Sequence, residues 1–367
     1  MRVVCSTQIA PKSELSPLIR KLEIENFRCF AKIAIEDARR FTVITGPNAS
    51  GKTTLLEAIF LAGGNTAEIY LRTSIWRGRE DFPIPTAPTH LISLLEDYFH
   101  QFDINKTLRV WFQDNHGEER EIRLGPGTDE VLSLPFEPTK SSEAISSKPA
   151  NLKFFWKTPK GELEARPEAS PEGLKLKRPD DAYFMVFLNT ATVGGAKETA
   201  DRYSELSRAN RESPIVEAVR KIFPYVTDLS VLSPGGISAI HAAVRGLDRK
   251  IPLGLLSSGI NKFVSVLAAI CSAPGSAVLV DEIENGWYYA KYREMWQEII
   301  AVAEDRNTQM FVTTHSREFL EAISPLVERD VKNYRLIRVE KSNGASTIKE
   351  FSGREFSSAI SSGVDVR

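Results

Sequence analysis

Apolar and polar residues alternate along two stretches near the start of the chain, IRKLEIENF (19–27) and KIAIED (32–37). A period of two predicts β-strands with one buried face. The run FTVIT (41–45) is short and mostly apolar and suits a strand in a buried position. Apolar residues at helical spacing then predict a helix over residues 53–62, which the glycines at 63 and 64 would end. We therefore expect three strands followed by a helix.

Between about residues 65 and 230 the pattern loosens. TLRVWFQDN and EREIRL predict a hairpin around Asn115-His116-Gly117, NLKFFWKT and AYFMVFLNT predict strands, and Asp201 to Phe223 predicts one amphipathic helix. Pro, Ser, Lys and Glu are frequent from Gly125 to Asp181, which favours a mobile loop there, above all at PTKSSEAISSKPA.

Order returns after residue 228. The pattern predicts paired strands around Gly235-Gly236, a helix after Gly259, the strand SAVLV, a helix from Lys291 to Glu304, and then QMFVTTH, REFLEAI, YRLIRVEK and STIKEF as strand, helix, strand and strand before a last short helix.

Strands that alternate with helices at both ends of the chain predict an α/β fold with a mixed sheet flanked by helices. We expect one layered domain formed by residues 1–64 and 228–367. Residues 65–227 would form a large α+β insertion that carries the mobile loop of about 125–181.

Composition narrows the class of protein. Apolar residues make up 42% and charged residues 26% of the 367-residue chain, as in soluble globular proteins. A formal net charge of -1 gives no overall field toward nucleic acid or an anionic membrane. The three cysteines form no CxxC pair, which argues against zinc or a disulfide framework. No apolar run reaches the ~18 residues of a membrane span, and the N-terminus lacks a signal-peptide pattern, so we expect a cytoplasmic protein.

The segment GPNASGKT, from Gly46 to Thr53, matches the phosphate-loop pattern GxxxxGK[ST] in full. Its glycines would let backbone N–H groups surround phosphates at the start of a helix. Lys52 would reach the β and γ phosphates, and Thr53 would bind Mg²⁺. A chance glycine-rich turn is the alternative, but a strand precedes the segment and a helix follows it. We therefore expect nucleotide binding at Asn48, Ala49, Ser50, Gly51, Lys52, Thr53 and Thr54.

Two carboxylates follow the apolar run AVLV, which is a Walker B pattern. Asp281, at the end of the strand, would bind Mg²⁺ directly or through water. Glu282 would then act as the general base that polarises the attacking water. Strands often end in acidic turns, so the pattern points to this chemistry because a phosphate loop lies upstream.

Two further segments occupy places expected in such a site. His315 ends the next strand, QMFVTTH, where it could contact the γ phosphate or the attacking water; a structural or merely exposed histidine is the alternative. Ser257, Ser258 and Gly259 precede a helix about twenty residues before the Walker B strand. They form either an ordinary N-cap or a signature that binds the γ phosphate held by a second subunit.

These motifs, in this order, resemble those of ABC-type ATPases, the branch that contains transporter ATPases and the RecF and SMC proteins. LEIENFRCF, ITGPNASGKTTLLEAI, LLSSGINKF, DEIENG, FVTTHSREF and the closing GVDVR are more narrowly similar to bacterial AAA-type ATPases related to the OLD family. The resemblance covers roughly residues 19–64 and 228–367. It implies ATP and Mg²⁺ as cofactors, Glu282 and His315 as catalytic residues, and a homodimer or higher homo-oligomer with composite sites. It also implies that Ser257 and Gly259 act in trans and that Asn285 and Gly286 lie at the interface between subunits.

Two features depart from the family pattern. The signature is LSSGI rather than LSGGQ, and no glutamine loop can be placed, although Gln101 and Gln113 are candidates. A transporter ATPase would need a membrane partner, which nothing in the chain indicates. The heptads of long-armed SMC proteins are absent, and the short stretch after His315 predicts strands and a helix, so we expect no Toprim nuclease domain.

The leading hypothesis is a sensor, regulator or scaffold that controls a separate effector protein, a toxin or nuclease, encoded nearby. Stand-alone relatives of this kind act in anti-phage defence operons such as PARIS, where the ATPase scaffolds and restrains a toxic partner. We expect this chain to sense a phage protein or nucleic acid as its trigger. A RecF/SMC-like DNA-binding repair ATPase is the alternative, and KTPKG and LKLKRP could contribute to a basic groove, although short lysine-rich loops are mostly solvated surface. A nucleotide-dependent assembly scaffold with slow turnover is the third possibility.

Overall fold

The computed structural model describes residues 18–64, 95–127, 152–166, 168–170, 173–175, 177–190, 196–342 and 344–364. The predicted loop PTKSSEAISSKPA and the last three residues of GVDVR lie outside these ranges. Strands are β1 (Ile19–Phe27), β2 (Phe30–Ile35), β3 (Phe41–Thr45), β4 (Leu108–Asp114), β5 (Glu119–Pro126), β6 (Leu152–Thr158), β7 (Gly161–Ala165), β8 (Glu168–Ser170), β9 (Gly173–Lys175), β10 (Met185–Leu188), β11 (Val226–Leu232), β12 (Ala239–Val244), β13 (Ile251–Pro252), β14 (Ala277–Val280), β15 (Gln309–Thr313), β16 (Tyr334–Ser342) and β17 (Ala345–Ser352).

The α-helices of the described residues are α1 (Lys52–Gly63), α2 (Ala196–Arg208), α3 (Ser213–Ile222), α4 (Leu253–Leu256), α5 (Ser258–Ser272), α6 (Tyr292–Asp305), α7 (Arg317–Arg329) and α8 (Gly353–Ser361). None of the helices in this part of the chain is long and apolar enough to cross a membrane.

A six-stranded sheet in the order β10-β14-β15-β3-β16-β17 forms the centre of the molecule. Its first five strands are parallel, and β17 returns antiparallel to β16. Every residue of β3, β10, β14 and β15 is buried because both faces of the sheet are covered. Phe41 and Val43 pack with α2, α3 and α5–α7, whereas Ile44 packs with α1 and a second sheet. The architecture is therefore layered α/β, as predicted.

The second sheet has the order β2-β1-β4-β5-β6-β7, and the pairs within it are antiparallel. Its strands alternate buried and partly exposed positions, as in β4, because one face packs on the core. The hairpin predicted around Asn115-His116-Gly117 joins β4 to β5. Both sheets thus include strands of the proposed insertion. The parallel sheet combines β10 of the insertion with β3 and with strands beyond residue 228, and the antiparallel sheet combines β4 to β7 of the insertion with β1 and β2. The domain division at residues 64 and 228 stays a prediction.

Two predictions differ from the described structure. The range of about 125–181, predicted as a mobile loop, contains the strands β6 to β9, of which only the first was predicted. The single helix predicted from Asp201 to Phe223 is wrong. The amphipathic stretch from Asp201 to Phe223 is two helices, α2 and α3, rather than one. Asn210 between them has a left-handed backbone with φ of 54°, and Pro214 stands in the first turn of α3, where its missing N–H is tolerated. Asparagine and proline break a helix locally although the apolar spacing continues across the break.

Candidate nucleotide site

The sequence motifs meet at the carboxyl edge of the parallel sheet. Leu188 of β10 is level with Val280 of β14, and Val280 is level with Val312 of β15. Thr313, the next residue of β15, is level with Ile44 of β3. The residues that follow these strands therefore lie side by side, where open α/β sheets bind their ligands.

The phosphate loop adopts a conformation that needs its glycines. Gly46 has φ of +140°, and a Cβ there would lie 2.2 Å from the carbonyl oxygen of Val339. Gly51 has φ of +115°, and a Cβ there would lie 2.7 Å from the Cys29 sulfur. Strand β17 also supports the loop, since Ser346 Oγ donates to the Ser50 carbonyl over 2.6 Å. Any side chain at either glycine would distort the loop.

The loop also offers groups that suit phosphate. Asn48 and Ala49 are exposed at its tip, while Ser50 is buried and its Oγ has no hydrogen-bond partner among the described residues. Lys52 Nζ donates to the carbonyls of Gly46 over 2.7 Å and Pro47 over 3.0 Å, so the ammonium lies inside the curve of the loop. Burial lowers the Lys52 pKa, although nearby carboxylates oppose this shift. Thr54, the last predicted loop residue, is buried in α1.

Hydroxyl and carboxylate oxygens converge beside the loop. Thr53 Oγ1 donates to Asp281 Oδ2 over 3.0 Å, across 228 residues of sequence. Thr313 Oγ1 donates to the other oxygen, Asp281 Oδ1, over 2.6 Å. Such oxygens are the ligands that Mg²⁺ prefers, so Thr53 and Asp281 fit the ion they are predicted to bind.

Glu282 follows Asp281 in a left-handed backbone conformation, with φ of 46°. A non-glycine residue held there costs on the order of 1–3 kcal/mol, which surrounding contacts must offset. One such contact comes from the backbone N–H of Glu282, which donates to Thr313 Oγ1 over 2.8 Å. Glu282 as a whole is half-buried at the edge of the sheet.

His315 lies at the end of the neighbouring strand and contacts a residue that sequence reasoning missed. Its backbone N–H donates to Glu284 Oε1 over 3.1 Å, and its Nδ1 lies 3.3 Å from the same oxygen. Glu284 is only 5% exposed, whereas the His315 side chain is 53% exposed. A buried carboxylate therefore orients an accessible imidazole. The position of Glu284, two residues after Glu282, was the sequence signal that could have identified it.

The signature segment forms the start of α5. Ser257 is an N-cap, and its Oγ accepts from the Ile260 N–H over 3.4 Å, which confirms the capping alternative. Gly259 packs against the following loop so closely that a Cβ would lie 2.4 Å from the Gly286 carbonyl oxygen. Ser258 is exposed. Capping does not exclude action on a second subunit, which stays a prediction.

Neither glutamine candidate lies at the carboxyl edge of the parallel sheet. Gln113 is in β4 of the antiparallel sheet, and Gln101 is in a short 3-10 turn that follows Phe99. Asn189 occupies the edge position instead, directly after β10 and buried beside Asp281, whose N–H donates to the Leu188 carbonyl. A polar residue directly after the apolar run MVFL was the sequence signal for it.

A phosphate loop and an acidic turn at the edge of a mixed sheet flanked by helices define the fold class of the P-loop ATPases. The chain belongs to the family described as "AAA domain, putative AbiEii toxin, Type IV TA system", whose model matches residues 41–321. Its resemblance to OLD-related or PARIS ATPases stays a prediction.

Known proteins are similar over different lengths. An "ATP/GTP phosphatase" of Helicobacter pylori is 23% identical over 338 residues, which cover 85% of this chain and 90% of that protein. A DNA replication and repair protein RecF of Pelotomaculum thermopropionicum is 53% identical over 45 residues, or 12% of each chain. An Smc head domain from Pyrococcus furiosus, solved bound to the C-terminal domain of ScpA, superposes with a TM-score of 0.50 at 14% identity and covers 94% of this chain and 99% of that one. This last likeness shows the fold.

Proposed function

We propose that the chain hydrolyses ATP at the carboxyl edge of its parallel sheet and uses the cycle to control a separate effector protein. The observation that carries the hydrolytic part is the bond from Thr53 to Asp281, which joins the phosphate loop to the acidic turn. The name of the Helicobacter pylori relative, an ATP/GTP phosphatase, supports the same reaction.

In this proposal the Glu282 carboxylate takes a proton from water as the water oxygen attacks the γ phosphorus. The bond from the γ phosphorus to the bridging oxygen breaks, and ADP leaves. Lys52 balances negative charge on the β and γ phosphates, and His315, oriented by Glu284, donates to the γ phosphate or the water. Bound Mg²⁺, held by Thr53 and Asp281, would supply further charge stabilisation.

The site would be completed by a second copy. Ser258 is exposed at the N-terminus of α5, a helix of 15 residues whose first N–H groups favour an anion. We assign Ser257, Ser258 and Gly259 to the γ phosphate held by the partner subunit. ATP would then join two copies, and hydrolysis would separate them.

Removal of the Lys52 ammonium tests the site. Lys52→Ala should abolish ATP binding, because it removes the ammonium that lies inside the curve of the phosphate loop. Isothermal titration with ATP and Mg²⁺ measures the affinity, and phosphate release measures turnover. Lys349→Ala removes an exposed lysine of β17 and is the matched control, with wild-type values expected. Retained tight binding by Lys52→Ala would overturn the assignment.

Effector control is the finer part of the proposal. The family description includes the words "putative AbiEii toxin, Type IV TA system", which supports a place in a toxin–antitoxin system. We assign this chain the regulatory part of such a system, with a phage protein or nucleic acid as the trigger. The chain should be co-expressed with the neighbouring open reading frames, and cell growth should be measured. The effect of the chain on growth should differ between the wild type and Glu282→Gln. ATP-dependent degradation of nucleic acid by the purified chain alone would contradict a separate effector.

A RecF/SMC-like DNA-binding ATPase is the second candidate. It is favoured by the 53% identity to RecF over 45 residues, although that match covers 12% of either protein. This candidate predicts that duplex DNA binds, that binding weakens steeply with salt, and that DNA stimulates hydrolysis. Hydrolysis that is unaffected by DNA at low salt would leave the effector proposal as the better account.

A further inference from the structure

The peptide group between Asp281 and Glu282 is held from both sides by buried side chains. Lys262 Nζ donates to the carbonyl oxygen of Asp281 over 2.9 Å. Thr313 Oγ1 accepts from the N–H of Glu282 over 2.8 Å. Lys262 and Thr313 are both 0% exposed. We call these two side chains the peptide clamp.

Lys262 is an unusual residue for its surroundings. It lies on α5 among apolar residues of that helix, where a methionine of similar length would be less costly to bury than an ammonium. Burial lowers its pKa to about 8, although the carboxylates of Asp281, Glu284 and Glu282 oppose the shift. The ammonium is directed at a main-chain carbonyl, so its role concerns the path of the backbone.

The backbone that Lys262 contacts leads directly into a strained residue. Glu282 has φ of 46°, a conformation that persists only where neighbouring contacts hold it. The clamp bonds are two such contacts, and they act on the peptide plane that precedes the Glu282 side chain. Rotation of this plane would move the carboxylate, and displacement of a general base by about 1 Å can lower a rate by a factor on the order of 100.

The two clamp residues belong to the two elements that carry the remaining motifs. Lys262 lies about one turn after Ser258 on α5, the helix that begins with the signature. Thr313 ends β15, two residues before His315. A movement of the signature helix or of the histidine strand is therefore transmitted to one peptide group.

We propose that Lys262 and Thr313 are positioning residues that set the orientation of the Glu282 carboxylate and couple it to the signature helix and the His315 strand. This inference rests on the proposed ATP hydrolysis. Docking of a second copy on the signature would shift α5, and Lys262 would carry that shift to the general base. The clamp thus acts on turnover rather than on nucleotide affinity.

Substitution of Lys262 by methionine tests the clamp. Lys262→Met should lower kcat about 100-fold while KM, the Kd for ATP and ATP-driven dimerisation stay at wild-type values. Ser265→Ala is the matched control, because Ser265 is buried one turn further along α5 and its hydroxyl donates to the Asn261 carbonyl rather than to the acidic turn. The control should keep wild-type kcat. A kcat for Lys262→Met within threefold of wild type, or a matching loss of ATP affinity, would overturn the proposal.

Thr313 gives an independent test in case Lys262→Met fails to fold. Thr313→Val removes the hydroxyl at nearly constant shape, and with it both the bond from the Glu282 N–H and the bond to Asp281 Oδ1. It should lower kcat without changing the Mg²⁺ concentration that gives half-maximal rate, which separates the peptide clamp from the bond to Asp281. Thr313→Ser keeps the hydroxyl and should retain most of the wild-type kcat. The double variant Lys262→Met/Thr313→Val should lose little more than either single variant, since both act through one peptide. The clamp would be contradicted if the double variant lost kcat by the product of the two single losses, or if Thr313→Val and Thr313→Ser had equal kcat. Failure of the wild type itself to hydrolyse ATP would refute the proposed function, whereas hydrolysis that is insensitive to these variants refutes the clamp alone.

Discussion

The two large sheets of this molecule use their side chains in opposite ways. In the parallel sheet, the four strands β3, β10, β14 and β15 are buried at every position, and polar chemistry begins only where they end. In the antiparallel sheet, buried positions alternate with positions that carry charge. On β4, for example, Arg109 contacts Glu23 over 2.6 Å and Glu121 over 3.1 Å.

The two sheets therefore have different roles. The parallel sheet carries the candidate site at its edge, and the antiparallel sheet contributes to stability. A parallel sheet brings all its carboxyl ends to one edge, so residues distant in sequence, such as Thr53 and Asp281, become neighbours there. The antiparallel sheet has no such edge, and its polar face is a network of ion pairs over a hydrophobic core. We therefore expect substitutions at the edge to change turnover, and substitutions in the antiparallel sheet to change stability.

The largest expected effect lies at the edge. Glu282→Gln keeps the shape of the side chain but removes the proposed general base, so kcat should fall by a factor on the order of 100–10,000. ATP should still bind, and an ATP-bound dimer should accumulate, as measured by phosphate release and light scattering. Glu162→Gln, at an exposed position of β7 in the antiparallel sheet, is the control and should retain full activity. A monomer in the presence of ATP would count against the proposal that Ser257 acts on the site of a second subunit.

A core residue of the antiparallel sheet should give the converse result. Phe154 is 0% exposed, and its ring stacks on that of Trp156 with centroids 5.4 Å apart. Phe154→Ala should lower the free energy of unfolding by about 3–5 kcal/mol, as measured by urea denaturation, because it leaves a cavity. Phe155→Ala, on the opposite face of β6, is the control and should cost less, since Phe155 is only half-buried. A lower kcat for folded Phe154→Ala would contradict the expectation that the antiparallel sheet affects stability and not turnover.

Strand runs and the residues directly after them were predictable, because burial on both faces leaves a continuous apolar signature. FTVIT and AVLV predicted β3 and β14. The phosphate loop after the first run and the two carboxylates after the second supplied Lys52, Asp281 and Glu282 as candidate site residues. A predicted helix failed at Asn210, where one left-handed residue ends α2 although apolar spacing continues to Phe223. Periodicity shows which face of a segment is buried, but it does not show where one helix ends and the next begins. A single residue in a left-handed conformation can end a helix within a periodic stretch.

Long-range partners were the part that the sequence did not reveal. Lys262 looked like a helix residue after a signature, and its hydrogen bond to the Asp281 carbonyl exists only once α5 packs on the sheet. Asn189 lies beside Asp281 because β10 pairs with β14. The predicted order of strands along the chain did not determine which strands would be adjacent. Such contacts depend on topology, which a motif does not encode.

The smallest expected effect lies on the outer face of the antiparallel sheet. Arg109 has a side chain 25% exposed, and its partners Glu23 and Glu121 are 39% and 13% exposed, so solvent and salt screen their attraction. Arg109→Gln should therefore lower the free energy of unfolding by only about 0.2–1 kcal/mol, and less at high salt than at low salt. Urea denaturation at two salt concentrations measures this change, and kcat should equal that of the wild type. A loss as large as that of Phe154→Ala, or a changed kcat, would mean that this face supports the nucleotide edge and that the two sheets are energetically coupled.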